Sequence, residues 1–258
     1  MKYQENCRIF SQEKIAPGIF SMWLQTDQIA KEAVPGQFVS VYSRDENRLL
    51  PRPISICDAD PTTGRIRLVY RVTGPGTGTE GFSLLHKDVS LKILGPVGNG
   101  YPLQKAEGKR VVLVGGGIGI PPLLYLARKL GSVKAAVLGY RDCTFLDREF
   151  LSFGETLIAT EDGSTGTKGN VLDVLRESRL CPELIFSCGP RVMLRALRDY
   201  AQSEGCLLYV SMEERMACGI GACLGCVTAS KEVDPHSNVR NRRVCVDGPV
   251  FEASEIEL

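Results

Sequence analysis

Charge of one sign is missing from this chain: its 258 residues carry a formal net charge of +1, so there is no electrostatic footprint for nucleic acid. Long apolar runs are missing as well. The stretch from Val111 to Ala127 comes nearest, but Gly115, Gly116, Gly117, Gly119, Pro121 and Pro122 interrupt it, and it does not read as a membrane span. Met1 to Phe10 is polar and charged, without the apolar centre of a secretory signal. A disulfide framework is therefore not expected, and the thiols of a cytoplasmic protein are expected to be reduced. Histidine is scarce: His86 and His236 belong to no motif and are poor catalytic candidates. With no internal repeat or low-complexity run, this length predicts two full domains and a small appendage.

Cysteine, in contrast, is plentiful. Cys218, Cys223 and Cys226 are spaced C-x4-C-x2-C, with Cys245 as the fourth member, which is the plant-type ligand pattern for a 2Fe-2S cluster. Gly219, Gly221, Ala222 and Gly225 between the ligands let the backbone curl tightly and aim N–H groups at sulfur, which favours the reduced cluster. The alternative is a structural zinc site, but zinc ribbons use two separated pairs of cysteines, whereas three ligands here crowd one loop. The interval before Cys245 contains Lys231 to Asn241 as a longer local loop. Cys7, Cys57, Cys143, Cys181, Cys188 and Cys206 lack metal spacing; most are expected to be buried filler, with Cys188 the exception.

The texture of the chain changes twice. Up to Leu103 it shows short apolar, β-branched runs between turn residues, at Gly36 to Tyr42, Pro53 to Cys57, Arg65 to Val72 and Val89 to Leu94. These predict a small antiparallel β-barrel or sandwich, with one helix near Thr79 to His86. From Lys109 strands alternate with helices: Val111 to Val114, Ile120 to Leu130, Val133 to Leu138, Thr156 to Thr160, Val171 to Glu177, Glu183 to Ser187, a helix after Pro190, and Leu207 to Ser211. Such alternation predicts an α/β domain whose parallel sheet carries helices on both faces. The expected division of this multidomain chain is 1–103, 104–211 and 212–258, the last holding the cluster cysteines and little regular pattern.

In the α/β part the first strand runs into Gly115, Gly116, Gly117, Ile118 and Gly119, where backbone N–H groups and a helix dipole can meet a pyrophosphate. It is not the ordinary G-x-G-x-x-G fingerprint, because Ile120 takes the final position. A tight strand-to-helix turn without a ligand would look much the same. A second turn, Cys188-Gly189-Pro190, ends another strand of the same sheet. Ligands of open α/β sheets bind at the carboxyl ends of strands, so both turns are expected to line one crevice, with the Cys188 thiol near a nicotinamide.

In the first part, Arg52-Pro53-Ile54-Ser55 is followed by Val69-Tyr70-Arg71 and then by Gly74-Pro75-Gly76-Thr77. A pyrophosphate needs arginine and main-chain donors of this kind; taken singly, Arg52 and Arg71 would be surface charges on strands. Together these motifs resemble the ferredoxin-NADP reductase superfamily. The resemblance implies FAD on the barrel, with Arg52 on its pyrophosphate and Ser55 near flavin N5. It also implies Tyr70 and Arg71 against the flavin and its phosphate side, and Gly76 and Thr77 as pyrophosphate donors. Many members carry an aromatic residue where Ile54 stands. That departure, the order of the three parts and the run Ser211 to Cys223, with Leu94 to Gly100 and Asp247 to Phe251, are similar to the family of electron transfer subunits of bacterial dihydroorotate dehydrogenase B.

Membership in that family implies a 2Fe-2S cluster on Cys218, Cys223, Cys226 and Cys245, FAD, and NAD at the two turns. It further implies an FMN-containing catalytic partner subunit, two copies of each chain, and a place in pyrimidine (UMP) biosynthesis, with no membrane or nucleic-acid partner. A nicotinamide exchanges two electrons and the cluster one; a flavin does both and belongs between them. The chain is not expected to oxidise dihydroorotate alone, because a substrate barrel would need about 250 further residues. A flavin and iron-sulfur subunit serving NAD(P)H and ferredoxin or a sulfur compound shares this architecture, and a zinc-stabilised scaffold is the remote alternative. Arg141 would suit a 2'-phosphate and Asp142 would oppose it; the resemblance favours NADH. Asp162 to Gly166 is a candidate nucleotide loop, while Glu213, Glu214, Arg240, Arg242 and Arg243 are read as structural or solvated charges.

Overall fold

The computed structural model describes residues 1–258 except Glu46, His236 and Ser237, so the reading of His236 lies outside the described residues. Six antiparallel strands, β1 (Tyr3–Ala16), β2 (Ile19–Gln25), β3 (Phe38–Val41), β4 (Arg52–Asp60), β5 (Arg65–Arg71) and β6 (Ser90–Val97), close into a barrel in the order β1-β2-β5-β4-β3-β6. Closure decides between barrel and sandwich. Inward side chains from successive strands, among them Ile9, Met22, Leu24, Val39, Val41, Ile56, Ile66, Leu68 and Ile93, fill its centre. Two short helices, α1 (Ile29–Glu32) and α2 (Gly78–Ser83), lie in the connections. Strands β1 and β2 were not anticipated. Within β1 only Cys7 and Ile9 are buried, so its alternation is faint.

The second part supplies six strands of a seven-stranded sheet together with its helices: β7 (Val111–Gly116), α3 (Ile120–Leu130), β8 (Ala135–Tyr140), α4 (Asp147–Phe150), β9 (Glu155–Thr160), β10 (Thr167–Lys168), α5 (Val171–Glu177), β11 (Leu184–Cys188), α6 (Arg191–Glu204) and β12 (Leu207–Ser211). Period-two alternation sends Val111 and Leu113 to the face covered by α3, and Val112 and Val114 to the face covered by α5 and α6. Helix α3 buries every residue from Ile120 to Ala127. It is apolar all round because it is wedged between sheet and barrel: the Tyr125 ring enters the barrel core and its hydroxyl donates to the Ala33 carbonyl at 2.8 Å. Each large apolar side chain so buried contributes about 1.5–3 kcal/mol. The ion pairs Arg67–Glu149, at 2.7 Å, and Arg128–Asp58 join barrel to sheet on the same side.

The expected parallel sheet is present, and the tail adds one antiparallel strand at its edge. The tail supplies β13 (Val227–Ala229) and β14 (Asn241–Arg243), an antiparallel pair, and β15 (Val250–Glu252), which adds to the sheet antiparallel to β12. Without β15 the edge of β12 would present unpaired backbone groups. The tail is thereby seated in the molecule: Cys226, Val244 and Cys245 share one core with Val210 and Phe251 of the sheet and with Phe38 and Val97 of the barrel. Among the described residues, no helix is long and apolar enough to cross a membrane.

Candidate functional site

The two turns of the sheet do meet. Gly115 and Cys188 are register partners on β7 and β11, and the chain beyond each bends the same way. A methyl group added at Gly119 would lie 2.3 Å from the Cys188 carbonyl oxygen and 2.6 Å from the Gly189 nitrogen. One added at Gly116 would lie 2.7 Å from Met193 Sδ and 3.0 Å from Pro190 Cδ. Gly115, Gly116, Gly117, Gly119, Cys188, Gly189 and Pro190 thus form one crevice at the carboxyl ends of the strands.

Beneath Cys188 lies a small polar group that the sequence did not advertise. Tyr101 donates its hydroxyl to the Ser187 carbonyl at 3.0 Å, and Ser187 Oγ donates to the Val114 carbonyl at 2.8 Å. Burial pushes the Cys188 thiol up to about 12, against an opposing hydrogen bond with Ser211. The group is a neutral thiol at physiological pH and offers bulk and polarisability rather than nucleophilicity. Iodoacetamide at pH 8 is therefore expected to label the exposed Cys143 and Cys181 and to spare Cys188, with labelling of Cys188 rising only as the pH approaches 12; peptide mass spectrometry reads the order.

On the barrel, Arg52 opens β4 and its Nε lies 3.0 Å from where a methyl on Gly78, the first residue of α2, would be. Thr77 caps that helix, donating Oγ1 to the Gly74 carbonyl at 2.7 Å and accepting the Glu80 N–H at 3.3 Å. Gly76 donates its N–H to Glu80 Oε2 at 2.6 Å. Methyl groups added at Gly74 or Gly76 would meet nothing within 4 Å, so the turn faces open space beside Arg52. That combination, a cation and a small-residue turn around a void, fits an anionic cofactor.

Ser55 is half-buried opposite Phe38, Pro53 lies opposite Ser40, and Ile54, opposite Val39, turns into the barrel. Val69 faces the core beneath α3. Tyr70 does not project toward the open space: its ring stacks on Phe20 at 5.9 Å, meets Phe82 edge-on, and its hydroxyl donates to Gln12 Oε1 at 2.9 Å. Only main-chain groups of Tyr70 are left for a ligand. Arg71 diverges from Arg52, its Nη2 lying 3.7 Å from the position of a methyl on Gly117.

The cysteines divide into an outer and an inner pair. Cys223 is exposed and Cys218 half-buried; Cys226 and Cys245 are buried. Cys218 Sγ accepts the N–H groups of Ile220 and Cys223, and Cys223 Sγ accepts that of Gly225, each at 3.4 Å. Burial raises the Cys218 thiol, but these donors and the Cys223 thiol outweigh it and hold the group at about 7. A hydrogen bond from Cys245 holds Cys226 at about 6, and the same sharing raises Cys245. Among the described residues no three His, Cys, Asp or Glu side chains are grouped to hold one metal ion. Two thiol pairs, each internally hydrogen-bonded, fit the two irons of a binuclear cluster better than the single centre of a zinc site.

Arg242 and Arg243, read as solvated, are paired instead, and Glu214, read as structural, braces the tail. Arg243 pairs with Asp247 at 3.1 Å, Arg242 with Glu232 at 2.6 Å, and Glu214 with Arg191 at 3.0 Å, tying the tail to the start of α6. Acids spaced four and ten residues from the arginines carried no signal in the sequence. Ser164 Oγ donates to the Asp142 carbonyl at 3.0 Å, bringing the Asp162 loop beside Arg141 and Asp142.

Barrel, crevice and tail define an iron-sulfur reductase of the ferredoxin-NADP reductase type. The chain superimposes on an NADH-dependent reduced ferredoxin-NADP oxidoreductase of flavin-based electron bifurcation with a TM-score of 0.82 and 29% identity, covering 98% of this chain and 90% of that one. A ferredoxin NADP+ reductase from Neisseria gonorrhoeae with bound FAD and NADP shares the fold at a TM-score of 0.63 and 15% identity, over 82% of this chain and 94% of that one. Residues 213–257 match the iron-sulfur cluster binding domain of dihydroorotate dehydrogenase B. The dihydroorotate dehydrogenase B (NAD(+)) electron transfer subunit of Geobacillus sp. (strain WCH70) is 42% identical, over 100% of both chains, and that of Bacillus caldolyticus 40% identical, over 99% of both. The chain belongs to the family of dihydroorotate dehydrogenase B (NAD(+)) electron transfer subunits.

Proposed function

We propose that this chain carries electrons from the FMN of a dihydroorotate-oxidising partner subunit to NAD+, through a 2Fe-2S cluster on Cys218, Cys223, Cys226 and Cys245 and through FAD on the barrel, in cytoplasmic pyrimidine (UMP) biosynthesis. Two copies of each subunit make the assembly. Residues 1–103 bind FAD, 104–211 bind NAD, and 212–258 hold the cluster. One observation carries this reading: the buried thiols Cys226 and Cys245 share a core with Phe38, the register partner of Ser55, while Cys223 is exposed. The cysteine segment therefore has one side toward the flavin strand and one toward the surface.

Bound FAD supplies the exchange between hydride and single electrons that neither nicotinamide nor cluster can provide alone. The chain's own residues bind and orient. Arg52 neutralises the FAD pyrophosphate beside the Gly76–Thr77 turn; Pro53, Ile54, Val69 and Tyr70 offer main-chain edges; Ser55 hydrogen-bonds near flavin N5. Gly115 to Gly119 and Cys188 to Pro190 receive the nicotinamide nucleotide, the neutral Cys188 thiol packing against its ring.

The likeness to the bifurcating oxidoreductase at 29% identity favours a second reading, a subunit serving NAD(P)H and ferredoxin. Purification with the co-purifying subunit separates the two. Flavin bands, a broad bleachable iron-sulfur absorption and dihydroorotate-dependent NAD+ reduction are expected. Ferredoxin-dependent turnover without response to dihydroorotate would select the second reading, and a colourless zinc protein would defeat both.

A further inference from the structure

Strand β3 turns two of its four residues away from the barrel centre. Val39 and Val41 point into the barrel core, whereas Phe38 lies in the core that holds Cys226 and Cys245. The period of two puts Ser40 on the same outer face as Phe38. All four residues of the strand are buried, and Ser40 is only 2% exposed. Its register partners, Pro53 on β4 and Leu94 on β6, carry no polar side chain. Among the described residues the Ser40 hydroxyl has no hydrogen-bond partner.

That hydroxyl is aimed at the cysteine loop. A methyl group added at Gly219 would lie 2.8 Å from Ser40 Oγ and, its chain neighbours aside, would meet no other atom within 4 Å. Gly219 follows Cys218 directly and adopts a left-handed φ of +67°, so the loop meets the barrel beside a ligand with no side chain between. Cys218 Sγ accepts N–H groups from Ile220 and Cys223 of its own loop; Ser40 is a donor that the barrel brings to the same place. If only a small residue were needed under the loop, alanine would serve without the cost of burying an unpaired hydroxyl.

We propose that Ser40 donates a hydrogen bond from the barrel to sulfur at the Cys218 end of the 2Fe-2S cluster and thereby raises the cluster's reduction potential. The proposal rests on the reading of Cys218, Cys223, Cys226 and Cys245 as the cluster ligands. Reduction adds one negative charge to the cluster, so a hydroxyl donor stabilises the reduced form more than the oxidised one. Strand β3 then serves both centres: Phe38 pairs with Ser55 on the flavin strand, and Ser40, two residues on, tunes the carrier that exchanges electrons with that flavin.

A redox titration of the purified complex, followed by electron paramagnetic resonance of the reduced cluster, tests this apart from turnover. Ser40→Ala is expected to keep FAD and cluster and to make cluster reduction about tenfold less favourable, a midpoint lowered by about 59 mV for one electron. In D2O, electron-nuclear double resonance of the reduced wild-type cluster should show an exchangeable deuteron that Ser40→Ala lacks. Ser40→Thr, which keeps the hydroxyl, should hold the wild-type midpoint. Either an unchanged midpoint or an unchanged deuteron signal in Ser40→Ala would overturn the proposal, because a serine that is only small filler moves neither. Should Ser40→Ala lose its cluster, Ser40→Thr decides: a wild-type midpoint supports the hydrogen bond, and a lowered one or an absent cluster refutes it. A wild-type complex without a 2Fe-2S signal would instead overturn the reading of the four cysteines, and the proposal with it.

Discussion

Cys223→Ser is expected to abolish electron passage between the subunits while NADH oxidation by artificial acceptors that draw on the flavin continues. Cys223 is the informative ligand because it is exposed, whereas Cys226 and Cys245 are buried in the core that joins tail, sheet and barrel. A hydroxyl introduced at either buried position would cost about 1–3 kcal/mol for want of a partner and confuse loss of cluster with loss of fold. At position 223 the change removes one soft thiolate donor and the sulfur that accepts the Gly225 N–H, and little else. The purified complex should keep its flavin spectrum, lose the reduced-cluster electron paramagnetic resonance signal, and reduce NAD+ with dihydroorotate only at background rate. If both activities vanish with FAD retained, the cluster lies between NADH and flavin, and the order of carriers proposed above is wrong.

What the sequence made legible, it did through residues whose identity is the signal. The C-x4-C-x2-C spacing and the Gly-rich and Cys-Gly-Pro turns depend on which atoms are present, and the structure brings the two turns together through the Gly115 and Cys188 register. Strand β1 was hidden because only Cys7 and Ile9 along its length are buried, so most of it reads as a polar segment. Strand β15 spans Val250–Glu252, too short for a period to register. Side-chain direction was hidden for a different reason. Tyr70 and Arg71 are adjacent in a strand and must point to opposite faces; which face looks at a ligand depends on barrel closure, not on local composition. The phenol turned inward to Phe20, Phe82 and Gln12, and the guanidinium turned toward the second domain.

Gly119→Ala is expected to damage the nicotinamide site selectively. The added methyl would fall 2.3 Å from the Cys188 oxygen, 2.5 Å from its carbonyl carbon and 2.6 Å from the Gly189 nitrogen. All three are backbone atoms, so no rotamer change relieves the clash; the turns must separate. Overpacking of this kind costs about 1–3 kcal/mol, and thermal unfolding should begin several degrees lower. The separation would move the Cys188 thiol away from the nicotinamide, so flavin reduction by NADH in rapid mixing should slow sharply, with FAD and cluster contents unchanged because both are held elsewhere. Gly117→Ala, on the same turn, separates backbone strain from that clash. Its methyl would meet only Arg71 Nη2 at 3.7 Å, an ordinary contact, leaving backbone strain at a φ of +53° as the cost, about 1–2 kcal/mol. A Gly119→Ala chain whose flavin is reduced by NADH at the wild-type rate would mean that close approach of the two turns does not build the nicotinamide site, whatever the loss in stability.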